Sequence, residues 1–487
     1  MTTPPPTKPA KRIWSNYQKQ VFFDIAKGAG HTIVLARAGS GKTTVLVESF
    51  RYVPKGKKIL ALAFNKIIQQ ELKKRAPLNV QVYTFHSLGY QAVRQRFGDS
   101  VVIDNYKAQN IVKELLGDDT DYDLIDNICQ TVSLCKSCLT DSPAGIEGII
   151  LGFGIDLCEV DLKVFTSYVI KTLVECKKMT TKIDFDDMCW FPFVYNLNVG
   201  KFDYVFVDEY QDLNKSQLVM SDKACNPNDG RRIFFGDDLQ DLYSWRGSDS
   251  ALVKGLVKNN NAKVLPLPIS YRCPSSVVML AKGWAQDIEE APGAIPGVIK
   301  DLHLNDLYTT VKPGAFILSR TNAPLIKICL RLIRLKIKAT IKGRDIGSNL
   351  TYIIKKSKKK QIPAFLKWLD KWEKEELEKL EAKKINPTNH LDKCECLREL
   401  CDEYSSLEEV TATIKDLFND TDVNNKVILS SVHRAKGTET NNVFLLHWTF
   451  REWFRDGINS TGGENEEMNI AYVAVTRAKE TLYFVKK

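Results

Sequence analysis

The stretch Ala36-Arg37-Ala38-Gly39-Ser40-Gly41-Lys42-Thr43-Thr44 follows an apolar run and leads into a helical pattern. A triphosphate needs many donors at close range. Glycines let backbone N–H groups approach phosphate oxygens, and a helix start adds its positive end. Lys42 has the reach for the β- and γ-phosphates, and the Thr43 hydroxyl is a ligand type for Mg²⁺. Residues Ala38 to Thr44 therefore form a candidate phosphate cradle, with Ala36 standing where the simple pattern has its first glycine. Asp208-Glu209-Tyr210-Gln211-Asp212 follows a second apolar run. Carboxylates at the C-terminal end of a parallel strand face the crevice in which such sheets bind ligands. Asp208 is the candidate Mg²⁺ partner and Glu209 the candidate base for an attacking water.

These residues need a sheet to hold them. Apolar runs at Ile33 onward, Lys58–Phe64, Tyr204–Val207 and Ile233–Phe235 alternate with helical patterns, which implies a parallel sheet covered by helices on both faces. A second set follows at Ala315–Ser319, Lys426–Ser430, Val443–His447 and Leu482–Val485. The expected fold is α/β, with two such units, each interrupted by a mainly helical insertion. Residues 13–87 and 183–265 make the first unit and 88–182 its insertion. Residues 266–347 and 424–487 make the second, with 348–423 inserted. Phe365, Leu369, Trp372 and Leu380 mark a helical stripe in the second insertion.

The chain has 487 residues, 44% hydrophobic and 26% charged. That composition excludes wholesale disorder, collagen and a disulfide miniprotein. No run is long and apolar enough to span a bilayer. Residues 1–12 lack an apolar core and read as a flexible basic tail rather than a secretory signal. A net charge of +10 is compatible with a polyanionic partner. Twelve scattered cysteines without an export signal read as reduced thiols in a cytosol-like compartment.

Further motifs recur in a fixed order. They are Gln18, Phe64-Asn65-Lys66, Thr84-Phe85-His86-Ser87, Phe235-Gly-Asp-Asp-Leu-Gln240-Asp-Leu-Tyr243-Ser-Trp245-Arg246, Ser270-Tyr271-Arg272, Arg320-Thr-Asn322, Ser431-Val-His433-Arg-Ala-Lys436-Gly-Thr-Glu439 and Ala471-Tyr-Val-Ala-Val-Thr-Arg477-Ala-Lys479. Together with the phosphate loop and the acidic cluster, this order resembles superfamily 1 DNA helicases of the UvrD/Rep/PcrA type, from Gln18 to Lys479. The resemblance implies two RecA-like P-loop NTPase domains with ATP and Mg²⁺ between them. It implies that Gln18 reads adenine, Tyr271 stacks on it and Glu439 meets the ribose. Gln240 would sense the γ-phosphate, and Arg272 and Arg477 would reach it from the second domain. Guanidinium forks neutralise the charge that phosphoryl transfer spreads over the γ-oxygens.

By the same resemblance, Asn65, Thr84, His86, Tyr243, Trp245, Arg246 and His433 line a track for single-stranded DNA. Aromatic faces suit such a track because stacking tolerates any base. The expected activity is ATP-dependent DNA unwinding and translocation, 3′ to 5′, on single strands and single-strand/duplex junctions, in a repair or replication setting. The expected location is cytoplasmic or nucleoid/nuclear, without a membrane. Two alternatives share these motifs: a DNA-stimulated translocase that strips proteins from DNA without net unwinding, and a non-catalytic ATP-gated DNA-binding protein. The family's larger fourth domain is expected to be reduced here to residues 348–423, and with only a short stretch after Arg477 the expectation is no fused nuclease within this sequence. Lys355-Lys-Ser-Lys-Lys-Lys360 reads equally as a duplex contact or a solvated loop. Trp448, Phe450, Trp453 and Phe454 read as core. His390, Cys394, Cys396 and Cys401 match no established zinc spacing, and the expectation is a helix without metal.

Overall fold

The computed structural model describes residues 12–117, 120–242, 255, 262–382, 387–418, 425–450 and 465–487. Its frame is two six-stranded sheets. The first runs in the order Val80–Thr84, Ile59–Ala63, Tyr204–Asp208, Arg231–Gly236, Thr32–Ala36, Lys263–Leu267. The second runs Val298–His303, Ala478–Lys486, Thr440–Leu446, Phe316–Ser319, Val427–Ser431, Ala339–Ile341. Every pairing in both sheets is parallel.

The strands that sequence pattern reveals lie inside these sheets. Those it misses, Val80–Thr84, Lys263–Leu267, Val298–His303 and Ala339–Ile341, are the four edges. The reason is physical. An inner strand of a parallel sheet is buried on both faces and becomes a continuous apolar run. Tyr204–Asp208 and Arg231–Gly236 are buried at every position. Val298–His303 has only exposed and half-buried residues, and Lys263–Leu267 carries Pro266, which an edge tolerates.

Alternation places two cores on the first sheet. Val34, Ala36, Ala61, Phe206 and Phe235 face the helices Asn16–Lys27 and Lys42–Ser49. Ile33, Leu60, Leu62, Val205 and Phe234 face the other way, and that core continues into the first insertion. The insertion contains the helices Lys107–Leu116, Tyr122–Cys138, Pro143–Phe153 and Leu162–Lys178. Gly89 lets the helix Phe85–Phe97 cross Phe185–Val194 closely: a Cβ there would lie 1.8 Å from the Met188 carbonyl oxygen. Two lysines are buried in the insertion. Lys107 Nζ lies 2.6 Å from Asp187, and Lys136 Nζ lies 2.6 Å from Asp184 and 2.8 Å from Asp187. Paired charges of this kind are tolerated only with their partners in place.

The second insertion packs Arg344–Lys356, Ile362–Ala382, Thr388–Glu403 and Leu407–Leu417 onto one face of the second sheet. Phe365 and Leu369 are buried there, and Trp368 and Trp372 stack at 5.6 Å. Cys394, Cys396 and Cys401 are buried in the same core, with His390 edge-on to Trp372. No group of three metal-ligating side chains arises among the described residues, and burial pushes the Cys394 thiol up to about 12. These thiols act as small apolar side chains. Within the basic run, Lys356 pairs with Asp123 of the first insertion at 2.5 Å, while Tyr352 packs on Tyr122. Among the described residues, no helix is long and apolar enough to cross a membrane.

Candidate active site

The phosphate loop leaves the end of Thr32–Ala36 and turns into the helix Lys42–Ser49. Gly39 and Gly41 take φ of 79° and 78°, which favours glycine. Gly39 also has no room for a side chain: a Cβ would lie 2.6 Å from both Arg272 Cβ and Ser270 Oγ. The helix start carries no side-chain cap, so its first N–H groups remain available to an anion. The Ser40 hydroxyl, 2% exposed, has no hydrogen-bond partner among the described residues. A buried orphan hydroxyl among free amides fits a bound phosphate.

Lys42 ion-pairs with Glu209 and lies 3.5 Å from Asp208. Burial opposes its charge, but those carboxylates raise its pKa well above the usual lysine range. Asp208 ends the strand Tyr204–Asp208, where burial and neighbouring Glu209 raise its pKa against the pull of Lys42. Glu209 follows with φ 52°, a left-handed turn uncommon outside glycine. That turn brings its carboxylate back to Lys42. Burial works against it too, yet Lys42 and Lys436 hold its pKa below the ordinary range. Asp208 and Thr43 are the residues that suit Mg²⁺, which is usually held by one or two protein oxygens plus phosphates and waters.

A hydrogen-bond relay runs from these acids to the neighbouring strand. Gln211 donates to Glu209 at 2.7 Å and accepts from the Asp237 N–H at 3.1 Å. Asp237, 1% exposed, accepts from Arg37 at 2.8 Å and from the Gln240 amide at 2.8 Å. Arg37 also donates to Asp238 and, at 2.7 Å, to Asp287.

Loops around the second sheet, with the turn after Ile269–Ser270, close the other side of the cleft. The Tyr271 N–H donates to the Gly39 carbonyl at 2.8 Å, and its ring is 49% exposed. Arg272 pairs with Glu439, which also meets Lys479 at 2.8 Å. Arg477 is fully buried. Among the described residues its guanidinium donates to the carbonyls of Val473 and Thr438 and to the Thr476 hydroxyl. Burial, then the neighbouring Arg272, bring its pKa down to about 10. Lys436 reaches across to the two oxygens of Asp212 at 2.7 and 2.8 Å and to the Gln240 carbonyl. Gln18 caps its own helix, its side-chain oxygen accepting from the Ser15 N–H at 3.0 Å.

Family models agree with this arrangement. Residues 16–260 match the UvrD/REP helicase N-terminal domain, and residues 349–487 match the UvrD-like helicase C-terminal domain. The chain belongs to the UvrD/Rep helicase family. It is 27% identical over 307 residues to a probable DNA helicase II homolog of Mycoplasma pneumoniae, covering 56% of this chain and 42% of that protein. It is 27% identical over 282 residues to the ATP-dependent DNA helicase PcrA of Bacillus subtilis, covering 52% and 37%. With the ATP-dependent DNA helicase Rep of Escherichia coli it shares 27% over 288 residues, covering 52% and 40%. The matches span less than half the length of these UvrD/Rep relatives.

Among the candidate strand-track residues, Asn65 and Thr84 cap helices. Asn65 accepts from the Ile68 N–H and Thr84 from the Ser87 N–H, so part of each side chain serves the fold. His86 lies half-buried at the start of Phe85–Phe97, and burial lowers its pKa. His433 sits on the short helix Val432–Ala435. Tyr243, Trp245 and Arg246 lie outside the described residues, as do Trp453 and Phe454. Phe450 is buried, 6% exposed.

The structure adds residues that spacing did not single out. Phe185, 51% exposed, holds its ring edge-on to His86 at 5.9 Å, which makes a further aromatic face beside that candidate contact. Its signal in the sequence was faint: an apolar residue just after a helix cap, within Asp184-Phe-Asp-Asp187. Arg37, Asp237, Lys436 and Tyr472 stood inside or beside quoted motifs, but their partners are far away in sequence.

Proposed function

We propose that this UvrD/Rep-family chain is an ATP-driven DNA helicase and single-strand translocase that moves 3′ to 5′. The observation that carries the reading is Arg477. A guanidinium buried among carbonyls and beside a second arginine is electrostatically set to receive an anion. The phosphate loop packs beside that second arginine, where the Tyr271 N–H, next to Arg272, donates to Gly39. A triphosphate on the loop would draw Lys42 from Glu209, leaving Glu209 to orient the attacking water through Gln211's support. Mg²⁺, held by Thr43 and Asp208, would supply charge neutralisation between the phosphates. Gln240 would leave Asp237 for the γ-phosphate, while Arg272 and Arg477 stabilise its developing charge. Tyr271 would stack on the base and Glu439 would meet the ribose. Because Arg272 leads into the helix Ser275–Ala281 and Arg477 into the strand Ala478–Lys486, across the cleft from the phosphate loop, hydrolysis depends on cleft closure, and closure becomes motion along the strand gripped by His86, His433, Trp245 and Phe185.

The test is ATP-driven strand separation on matched duplexes carrying a 3′ or a 5′ single-stranded tail. The expected result is unwinding from the 3′ tail only. Unwinding only from the 5′ tail would overturn the polarity. DNA-stimulated hydrolysis with no unwinding from either tail would favour translocation without strand separation. No hydrolysis at all would remove the motor reading.

A further inference from the structure

We propose that Tyr472 is a positioning residue for phosphoryl transfer, whose hydroxyl sets the helix leading to Arg477 against the phosphate loop. This rests on the ATPase reading above. Tyr472 lies on Asn465–Val475, five residues before Arg477, and it is fully buried. Its oxygen accepts from the Ala38 N–H at 2.9 Å, and its O–H donates to Asp237 Oδ2 at 3.1 Å. Burial, reinforced by Asp237, keeps the phenol protonated and able to donate. Both partners belong to the first sheet's loops, 434 and 235 positions away.

The consequence follows from what each partner holds. Asp237 Oδ2 also takes the Gln240 amide, and its N–H reaches Gln211, which supports Glu209. Ala38 is in the phosphate loop itself. One hydroxyl therefore links the loop, Gln240 and the candidate base to the segment bearing Arg477. That segment moves with its helix, because Arg477 Nε donates to Val473 O at 2.8 Å, one turn back. A buried polar contact is favourable only when matched on both sides, so this one selects a single docking register of helix on loop. Misplacing a charge-stabilising group by an ångström costs rate more than binding.

Tyr472→Phe keeps the ring and removes the hydrogen bonds. With saturating single-stranded DNA, kcat for ATP hydrolysis should fall about tenfold or more while KM for ATP stays within about threefold. If Tyr472 acts through Arg477, the double variant Tyr472→Phe/Arg477→Ala should be no slower than Arg477→Ala alone. Wild-type kcat in Tyr472→Phe, or losses that multiply in the double variant, would overturn the proposal. A second measurement needs no variant. The Ala38 amide should exchange its hydrogen slowly in the unmodified chain, and rapid exchange would overturn the contact even if Tyr472→Phe failed to fold. A wild-type chain that hydrolyses no ATP would refute the ATPase reading instead, with slow Ala38 exchange still supporting the contact.

Discussion

Replacing Lys436 with methionine should loosen the two halves of the cleft in a pH-dependent way. Lys436 and Asp212 are 9% and 2% exposed, and the ammonium sits 2.7 Å from the carboxylate. Removing one partner of a buried pair costs about 3–5 kcal/mol. A second route to the magnitude is that the stranded carboxylate takes up a proton. For a group with an ordinary pKa near 3.9, that costs about 4 kcal/mol at pH 7, at 1.36 kcal/mol per unit. The second figure is an upper bound on the difference between the two proteins, because a raised Asp212 pKa already costs the wild type part of it. Burial, with Glu209 beyond it, already raises Asp212 to about 6 against the pull of Lys436. Methionine would raise it further. A carboxylate with a raised folded pKa binds more protons folded than unfolded, so its stability contribution declines as pH rises. In the wild type that decline ends above about pH 6, where Asp212 is ionised in both states. In Lys436→Met it continues, by about 1.4 kcal/mol per pH unit. The gap between the two proteins should therefore widen from pH 6 to pH 8. Urea unfolding at pH 6, 7 and 8, followed by circular dichroism, measures it. A gap that is absent, or constant across that range, would refute the reasoning.

Lys42→Ala and Glu209→Gln should each abolish DNA-stimulated ATP hydrolysis, and turnover retained by either would sink the site assignment. Phe185→Ala should weaken single-stranded DNA binding by about 1–3 kcal/mol, measured by fluorescence anisotropy, with basal ATPase unchanged; unaltered affinity would leave Phe185 a surface residue. His31 should make folding acid-sensitive. Burial, then Arg232, lower its pKa to about 4, and its Nδ1 accepts from the Arg232 N–H. The neutral ring is the folded form, so its contribution is whole above about pH 6.5 and is lost as pH falls toward 4. His31→Gln should flatten that part of the stability profile, and an unchanged slope would exclude His31 as the cause.

The sequence by itself determined the parts whose physics is local. A strand end, two left-handed glycines and a helix start lie within nine residues, so the turn from Ala36 to Thr44 was legible without any partner. The same holds for Asp208 and Glu209 after a fully buried strand, and for the inner strands of both sheets. Burial on both faces writes itself as a continuous apolar run. The edge strands were illegible because half of each faces water, and their identity comes from the neighbour they pair with. Only the tertiary structure decided the contacts across the cleft, Ala38 with Tyr472, Asp212 with Lys436 and Arg37 with Asp287, and the pairing of Arg272 with Glu439 on its second side. It also decided that Gln18 and Asn65 cap helices and that the cysteines of Thr388–Glu403 fill a core. Such pairings depend on how helices dock on two sheets. A shift of one helical turn would exchange every partner while leaving each motif intact.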